Sequence, residues 1–254
     1  GAGKSTLASQ LTTQWRQQGR TVAIVGVDPT SPYSGGSILG DRVRMQSHYA
    51  DPGVFVRSMA TRGFLGGLAP TTTDVVMVLE AAGYDVVLIE TVGVGQAEID
   101  IMKWVLKVVL VLTPAMGDDV RTMKAGVMEI ADVFLINKAD QAGVDRVESQ
   151  LEAFLALLPE GLSRPPIIRT IATENEGVDV LLKVLDAASH SPARFTAGWS
   201  ERLVEMVKQE LTERFLSDLE DTRFDEMARE IVEGRQNPYD LVEAVIDEAK
   251  GTRG

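Results

Sequence analysis

Short apolar runs alternate along the chain with longer segments in which apolar residues recur every three or four positions. The runs are almost free of polar residues, which is typical of strands that are covered on both faces. These strands are predicted at residues 21–27, 54–58, 84–90, 107–113, 132–137 and 165–172. The periodic segments predict helices at residues 4–18, 71–82, 118–130, 144–157 and 178–188. This regular alternation indicates an α/β fold with a mostly parallel, doubly wound sheet.

The pattern changes after about residue 190, where no further strand is predicted. A linker-like stretch, SPARF, comes first, and amphipathic helices are then predicted at residues 198–218, 222–234 and 237–250. We therefore divide the chain into an α/β domain at residues 1–190 and a helical segment at residues 191–254. The helices of this segment could cover an edge of the sheet, or they could pack on a second copy of the chain.

Composition narrows the possible classes of function. The chain has 254 residues, no cysteine, two histidines and a formal net charge of -12. Disulfides and thiolate metal sites are excluded, and two histidines are too few for a histidine metal cluster. Such an acidic chain is a poor candidate for general nucleic-acid binding, and no apolar run is long enough to span a membrane. We expect a cytoplasmic protein with neither a nucleic-acid partner nor a membrane partner.

The chain begins with GAGKST, which matches the end of the phosphate-binding pattern G-x-x-x-x-G-K-[ST]. Glycines let backbone N–H groups surround phosphate oxygens, and the start of the following helix adds a favourable dipole. Lys4 is expected to reach the outer phosphates, and the Ser5 hydroxyl is expected to coordinate Mg²⁺. The first glycine of the pattern, and the strand that leads into the loop, are expected to precede residue 1.

Carboxylates follow two of the predicted strands. Asp28 comes directly after the apolar run at 21–27, and Glu90 ends the strand at 84–90. In an open α/β sheet, ligands bind at the carboxyl ends of the strands, where these side chains would face the phosphate loop. Carboxylate oxygens suit Mg²⁺, so both residues are candidate metal ligands together with Ser5. Asp41, in a glycine-rich segment, could be a further ligand.

The motif NKAD, at residues 137–140, follows another predicted strand. Asp140 can accept hydrogen bonds from the N1–H and N2–H₂ groups of guanine, a donor pair that adenine lacks. Asn137 and Lys138 would support the base from the same loop. At Ile171, Ala172 and Thr173 the last strand ends, and a backbone amide there could contact the guanine O6. The motif therefore predicts a preference for GTP and GDP.

Several longer stretches resemble the MeaB/ArgK family of P-loop GTPases, which are associated with methylmalonyl-CoA mutase and were formerly described as LAO/AO transport system kinases or ATPases. The stretches are VDPTSPYSGGSILGDRVRM, DPGVFVRSMATRGFLGGLA, GYDVVLIETVGVGQAEID, GVMEIADVFLINKAD and NPYDLVEAV. The similarity covers nearly the whole chain. It departs from the family at Arg121, where a glutamine is typical, and at Ile171, where a serine is typical.

This resemblance implies a set of site residues. Phosphate binding would fall to Gly1, Ala2, Gly3, Lys4, Ser5 and Thr6. The Mg²⁺ environment would comprise Ser5, Asp28, Asp41 and Glu90. Residues 28–45 would form a first switch loop, and Gly93, in a second, could sense the γ-phosphate. Asp118 and Lys124 would act in a further loop, while Gln96 could either position the attacking water or cap the helix that follows.

The resemblance also implies a function. The protein would hydrolyse GTP in a Mg²⁺-dependent reaction and act as a switch on an adenosylcobalamin-dependent acyl-CoA mutase, gating cofactor loading, protection or reactivation. The helices of residues 191–254 would form a dimerisation arm. One alternative is a kinase or ATPase that acts on a periplasmic amino-acid-binding protein. A nickel-inserting GTPase chaperone is disfavoured by the lack of cysteine, and a nucleotide-binding scaffold without turnover is a further alternative.

Overall fold

The computed structural model describes residues 1–28, 48–60, 70–91, 105–116, 128, 131–159, 164–187, 192–217 and 221–251. The described strands are β1 (Val22–Asp28), β2 (Val54–Ala60), β3 (Val86–Thr91), β4 (Val109–Leu112), β5 (Val133–Asn137) and β6 (Ile167–Thr170). The helices that alternate with them are α1 (Lys4–Gln17), α2 (Pro70–Ala81), α3 (Val144–Ala156) and α4 (Val178–Asp186). A short 3-10 helix, Pro114–Met116, follows β4. Apart from Met128, the helix predicted at residues 118–130 lies outside the described residues.

The described strands form two parallel sheets, ordered β2-β1-β3 and β4-β5-β6. In the first sheet, Val22 of β1 aligns with Val54 of β2 and with Val86 of β3. In the second, β5 pairs in parallel with both β4 and β6. Because the strands of each sheet run in the same direction, their carboxyl ends lie along one edge. The prediction of an α/β fold with parallel strands is confirmed.

Both sheets are covered by helices on two faces, which explains why their strands are almost wholly apolar. Successive residues of β1 point to opposite faces: Val22 and Ile24 belong to one apolar cluster, and Ala23, Val25 and Val27 belong to another. The first cluster also contains buried residues of β5, β6, α1 and α4, so the two sheets share one core. The apolar face of α1 is part of this core and comprises Leu7, Ala8, Leu11 and Trp15. This packing fixes the helix that carries Lys4 and Ser5.

The chain divides into two compact units, Gly1–Phe195 and Thr196–Gly254. The helices of the C-terminal region are α5 (Pro192–Ser217), α6 (Asp221–Val232) and α7 (Pro238–Gly251). Helix α5 starts within the SPARF stretch, so the prediction of a linker there was wrong. Proline suits the first turn of a helix because its fixed φ is helical and its missing N–H would have no partner there.

Helix α7 begins where Asn237 provides an N-cap, since the backbone N–H of Tyr239 donates to Asn237 Oδ1 at 3.0 Å. Large apolar side chains of the second unit are exposed, among them Leu203, Val207 and Leu211 of α5. Within the part of the chain that the structure describes, no helix is both long and apolar enough to cross a membrane.

Candidate nucleotide-binding site

The phosphate-loop residues lead directly into α1. Gly3 is the residue before the helix and has a φ of +83°, a left-handed conformation that favours glycine. A Cβ atom at this position would lie 2.4 Å from Asn137 Nδ2, so there is also no space for a side chain. Lys4 then opens the helix, and Leu7 N donates to Gly3 O at 3.0 Å. Both backbone conformation and packing therefore require glycine at this position.

A hydroxyl and a carboxylate meet one residue later. Ser5 is buried, and its Oγ donates to Glu90 Oε1 at 2.6 Å. Glu90 lies near the carboxyl end of β3 and aligns with Gly26 of β1, which places Asp28 slightly further along the same edge. Hydroxyl and carboxylate oxygens are the donors that Mg²⁺ prefers, so this pair fits the predicted metal. Among the side chains that the structure describes, no group of three or more carboxylates and imidazoles forms a metal cluster.

Asn137, the first residue of the NKAD motif, joins three parts of the site. Its side chain is buried, with 2% exposure, at the end of β5. Its Nδ2 donates to the backbone carbonyl of Ala2 at 2.9 Å. Its Oδ1 accepts from Thr170 Oγ1 at 3.2 Å and from the Ala172 N–H at 3.1 Å. One side chain thus links the phosphate loop to the loop after β6 across the end of the sheet.

The rest of the NKAD motif follows in an unusual backbone conformation. Lys138 has a φ of +60°, although it is not glycine. Such a conformation costs on the order of 1–3 kcal/mol, and residues of this kind cluster at functional sites. Ala139 N donates to Thr170 O at 3.1 Å, so the motif is also held to β6 by its backbone. Asp140, the predicted guanine-reading residue, is exposed.

The loop after β6 is closed on itself. Ile171 and Glu176 exchange two backbone hydrogen bonds, of 3.1 Å and 3.3 Å. Ala172 is buried and its N–H is taken up by Asn137, whereas Thr173 is exposed. A backbone amide within residues 171–173 was predicted to contact the guanine O6, and of these three the Ala172 N–H donates to Asn137 in this structure. A contact between the base and this loop stays a prediction.

Several predicted site residues are not covered by this geometry. Asp28 lies at the end of β1, but its side chain is outside what the structure describes. The other predicted residues outside the described part of the chain are Asp41, Gly93, Gln96, Asp118 and Lys124. Their roles stay predictions.

Polar contacts that sequence reasoning missed lie along α1. Ser9 Oγ is 2.8 Å from His48 Nε2. Arg16 donates from Nε and Nη2 to the two oxygens of Asp51, each at 2.9 Å. The guanidinium lowers the pKa of the Asp51 carboxyl below its ordinary value, mainly through this hydrogen bonding. No sequence motif indicates these contacts with His48 and Asp51. The sequence shows only that Ser5 and Ser9 share one face of the helix, because they are four residues apart.

The class of protein follows from how α1 begins. A helix that opens with Gly-Lys-Ser at the carboxyl edge of parallel strands, with a carboxylate on the serine hydroxyl, is the arrangement of a P-loop NTPase. A crystal structure of LAO/AO transport system kinase has a similar fold, with a TM-score of 0.63 at 23% identity over 98% of this chain and 78% of that chain.

Sequence comparison identifies the family. A family model described as methylmalonyl Co-A mutase-associated GTPase MeaB matches residues 1–227. The chain belongs to this family, as its resemblance to MeaB and ArgK proteins predicted.

Curated relatives support this assignment. A putative GTPase of Pyrococcus abyssi is 42% identical over 99% of this chain and 81% of its own length. GTPase ArgK of Escherichia coli is 33% identical over 86% of this chain and 69% of its own length. The mitochondrial methylmalonic aciduria type A homolog of Mus musculus is 37% identical over 75% of this chain, which spans 47% of that relative. Because the chain spans only part of these proteins, their activities and partners carry over only as proposals.

Proposed function

We propose that the protein hydrolyses GTP to GDP and phosphate and that its nucleotide state controls an adenosylcobalamin-dependent acyl-CoA mutase. The switch would gate the loading of the mutase with its cofactor, or the protection or reactivation of the mutase. The observation that carries the nucleotide assignment is the Asn137 side chain, which joins the NKAD motif to the backbone of the phosphate loop at 2.9 Å. The distance and orientation between a base bound by Asp140 and phosphates held by the loop would thereby be fixed.

The chemistry that this site would perform is mainly positioning and charge stabilisation, as in other phosphoryl transfers. Lys4 and the N–H groups of residues 1–6 would hold the phosphates. Ser5 and Glu90, with Asp28 and Asp41, would hold Mg²⁺, which would neutralise phosphate charge when bound. Gln96, Asp118 and Lys124 are the proposed contributors to hydrolysis from the loops that respond to the γ-phosphate.

Base recognition gives a sharp test of this assignment. In Asp140→Asn, the side chain keeps one acceptor but replaces the other with an amide donor, so it no longer matches the two donors of guanine. Xanthine has a carbonyl where guanine has its N2 amine, and it can accept from that amide. We expect the variant to lose GTP affinity by at least about tenfold, the equivalent of about 1.4 kcal/mol, and to gain affinity for xanthosine triphosphate.

Wild-type protein in the same titrations is the control. Equal binding of GTP and xanthosine triphosphate by both proteins would contradict the role of Asp140, and tight binding of ATP would contradict the guanine assignment. A label that passed from the γ-phosphate to an amino-acid-binding protein would favour the kinase alternative.

The family supports the proposed partner, since its model is described as methylmalonyl Co-A mutase-associated. The partner proposal is tested by adding stoichiometric mutase. If GTP turnover and cofactor loading are both unchanged, the mutase is not the partner.

We also propose that residues 191–254 form a homodimerisation arm. Leu203, Val207 and Leu211 recur every four residues along α5, and each is 55% or 56% exposed. Residues at this spacing form one apolar stripe on a helix, and burial against a second copy would remove it from water. Sedimentation of wild type and of Val207→Asp tests this: the expected result is a dimer that the substitution dissociates, and a monomeric wild type would contradict the arm.

A further inference from the structure

Helix α1 carries a second serine on the face that holds Ser5. Ser9 follows Ser5 by four residues, so the two hydroxyls lie one above the other on the same side of the helix. Ser5 contacts Glu90, and Ser9 Oγ lies 2.8 Å from Nε2 of His48. His48 is 7% exposed and Ser9 is half-buried, so this hydrogen bond is partly shielded from water. The proposed reaction does not itself use Ser9 or His48.

The chain next to His48 is held to the same helix at a second point. Asp51 N donates to His48 O at 3.1 Å, and the Asp51 carboxylate pairs with Arg16 of α1. Gly53 N donates to Asp51 Oδ1 at 2.8 Å, and a Cβ atom on Gly53 would overlap the Arg16 guanidinium. Ser9 and Arg16 are about two helical turns apart. The chain from His48 to Asp51 is therefore held to α1 at two points, of which the one at Ser9 is nearer to Ser5.

This arrangement has a consequence for the nucleotide site. Asp28, a candidate Mg²⁺ ligand, is the last residue of β1, and His48 contacts α1 through Ser9. Helix α1 itself begins with Lys4 and Ser5. The Ser9–His48 hydrogen bond thus fixes His48 and the start of α1 relative to each other, on the helix whose first residues would hold the phosphates. Geometry that is fixed before binding does not have to be ordered by the ligand, and this favours affinity.

We propose that Ser9 and His48 are positioning residues for the nucleotide site, and that loss of their hydrogen bond weakens binding of GTP with Mg²⁺. The inference rests on the proposed function, because it concerns the same site. Neither residue touches the nucleotide in this account. Each acts through helix α1, which begins with Lys4 and Ser5.

Ser9 and His48 border open space, so their side chains can be replaced without steric clashes. An open cavity of about 550 Å³ lies beside Ser9 and His48, and Gln10, Thr13 and Gln17 also line it. Thr13 provides a matched control. Its hydroxyl is one turn further along α1 but donates to the helix's own carbonyl at Ser9, at 3.0 Å. Thr13→Ala removes a hydroxyl from the same cavity without breaking a link to the chain at His48.

The experiment titrates GTP and GDP, with Mg²⁺, into wild type, Ser9→Ala, His48→Ala, the double variant and Thr13→Ala. One hydrogen bond is worth about a two- to twelvefold change in an equilibrium constant, and this is the loss of GTP affinity expected for each single variant at the pair. The double variant should bind no worse than His48→Ala, because both changes remove the same interaction. Thr13→Ala should bind like wild type.

A rescue variant shows whether the hydrogen bond or the volume of the His48 side chain matters for GTP binding. In His48→Gln, the amide nitrogen can occupy the place of Nε2 and hydrogen-bond to Ser9. We expect it to restore GTP affinity to within about twofold of wild type, less than the loss of one average hydrogen bond. Thermal unfolding of each variant, measured without nucleotide, shows whether the protein is folded during the titration.

The outcomes are distinguishable. If wild type binds GTP selectively and the Ser9 and His48 variants bind equally well, the inference is wrong and the proposed function stands. If His48→Gln binds no better than His48→Ala, the hydrogen bond is not the cause and the inference is again wrong. If wild type does not bind GTP, the proposed function and the inference resting on it both fail.

Discussion

The Asn137 side chain is the contact on which the integrity of the site depends most, and Asn137→Ala should show this in both stability and binding. The substitution removes hydrogen bonds to Ala2, Thr170 and Ala172. It leaves the buried Ala172 N–H without its partner, which costs about 1–3 kcal/mol. Each of the other two bonds contributes about 0.5–1.5 kcal/mol. Because bonds made by one side chain are not independent, we expect a total loss of about 2–4 kcal/mol.

Thermal unfolding measures this loss directly. For a domain of this size, about 1 kcal/mol shifts Tm by about 2–4 °C, so Asn137→Ala should lower Tm by about 5–15 °C. Thr170→Val is the matched control, since it removes one of the same hydrogen bonds and keeps the volume of a buried side chain that is 1% exposed. The control should lower Tm by about 1–6 °C. GTP affinity should fall by more than tenfold in Asn137→Ala only, because that variant alone releases the phosphate loop.

Two results would refute this reasoning. An Asn137→Ala protein that unfolds within a degree or two of wild type would show that the three hydrogen bonds contribute little. A Thr170→Val protein as damaged as Asn137→Ala would show that the contact to the phosphate loop is not the important one.

Two further predictions concern backbone geometry and pH. Gly3→Ala should abolish GTP binding, because a Cβ there meets Asn137 at 2.4 Å; Gly19→Ala, with a similar φ of +82° but nothing within 4 Å, should leave affinity unchanged in the same titration. Arg16 lowers the pKa of the Asp51 carboxyl in the folded protein below its ordinary value of 3.8. The ion pair therefore stabilises the fold above pH 3.8, and this stabilisation is lost as the pH falls towards the pKa of Asp51 in the folded protein. Tm should therefore decline less between about pH 5 and pH 3 in Asp51→Asn than in wild type, and equal declines would contradict the pairing.

Much of the fold could be predicted because its signals are local. The strand at Val133–Asn137 is wholly buried, and the apolar run at residues 133–136 indicates a buried strand without knowledge of its neighbours. The same strand rule placed Glu90 at the edge that faces the phosphate loop, where its carboxylate contacts Ser5. A prediction of this kind succeeds when one general property of parallel sheets decides the location of a residue.

Other contacts could not be predicted because they join residues that are distant in sequence and depend on side-chain packing. Asn137 was predicted to support the base, but its contact with Ala2 bridges 135 positions. A backbone amide within residues 171–173 was predicted to contact guanine, but the sequence carried no sign that the N–H of Ala172 donates to Asn137. No motif predicts the hydrogen bond between Ser9 and His48, since neither residue belongs to the P-loop pattern or to NKAD.

The most direct test of the proposed function compares GTP and ATP hydrolysis, with and without an adenosylcobalamin-dependent acyl-CoA mutase. We expect turnover that is selective for GTP, requires Mg²⁺ and changes when stoichiometric mutase is added. Turnover that prefers ATP, or GTP turnover that is indifferent to the mutase under all conditions, would contradict it.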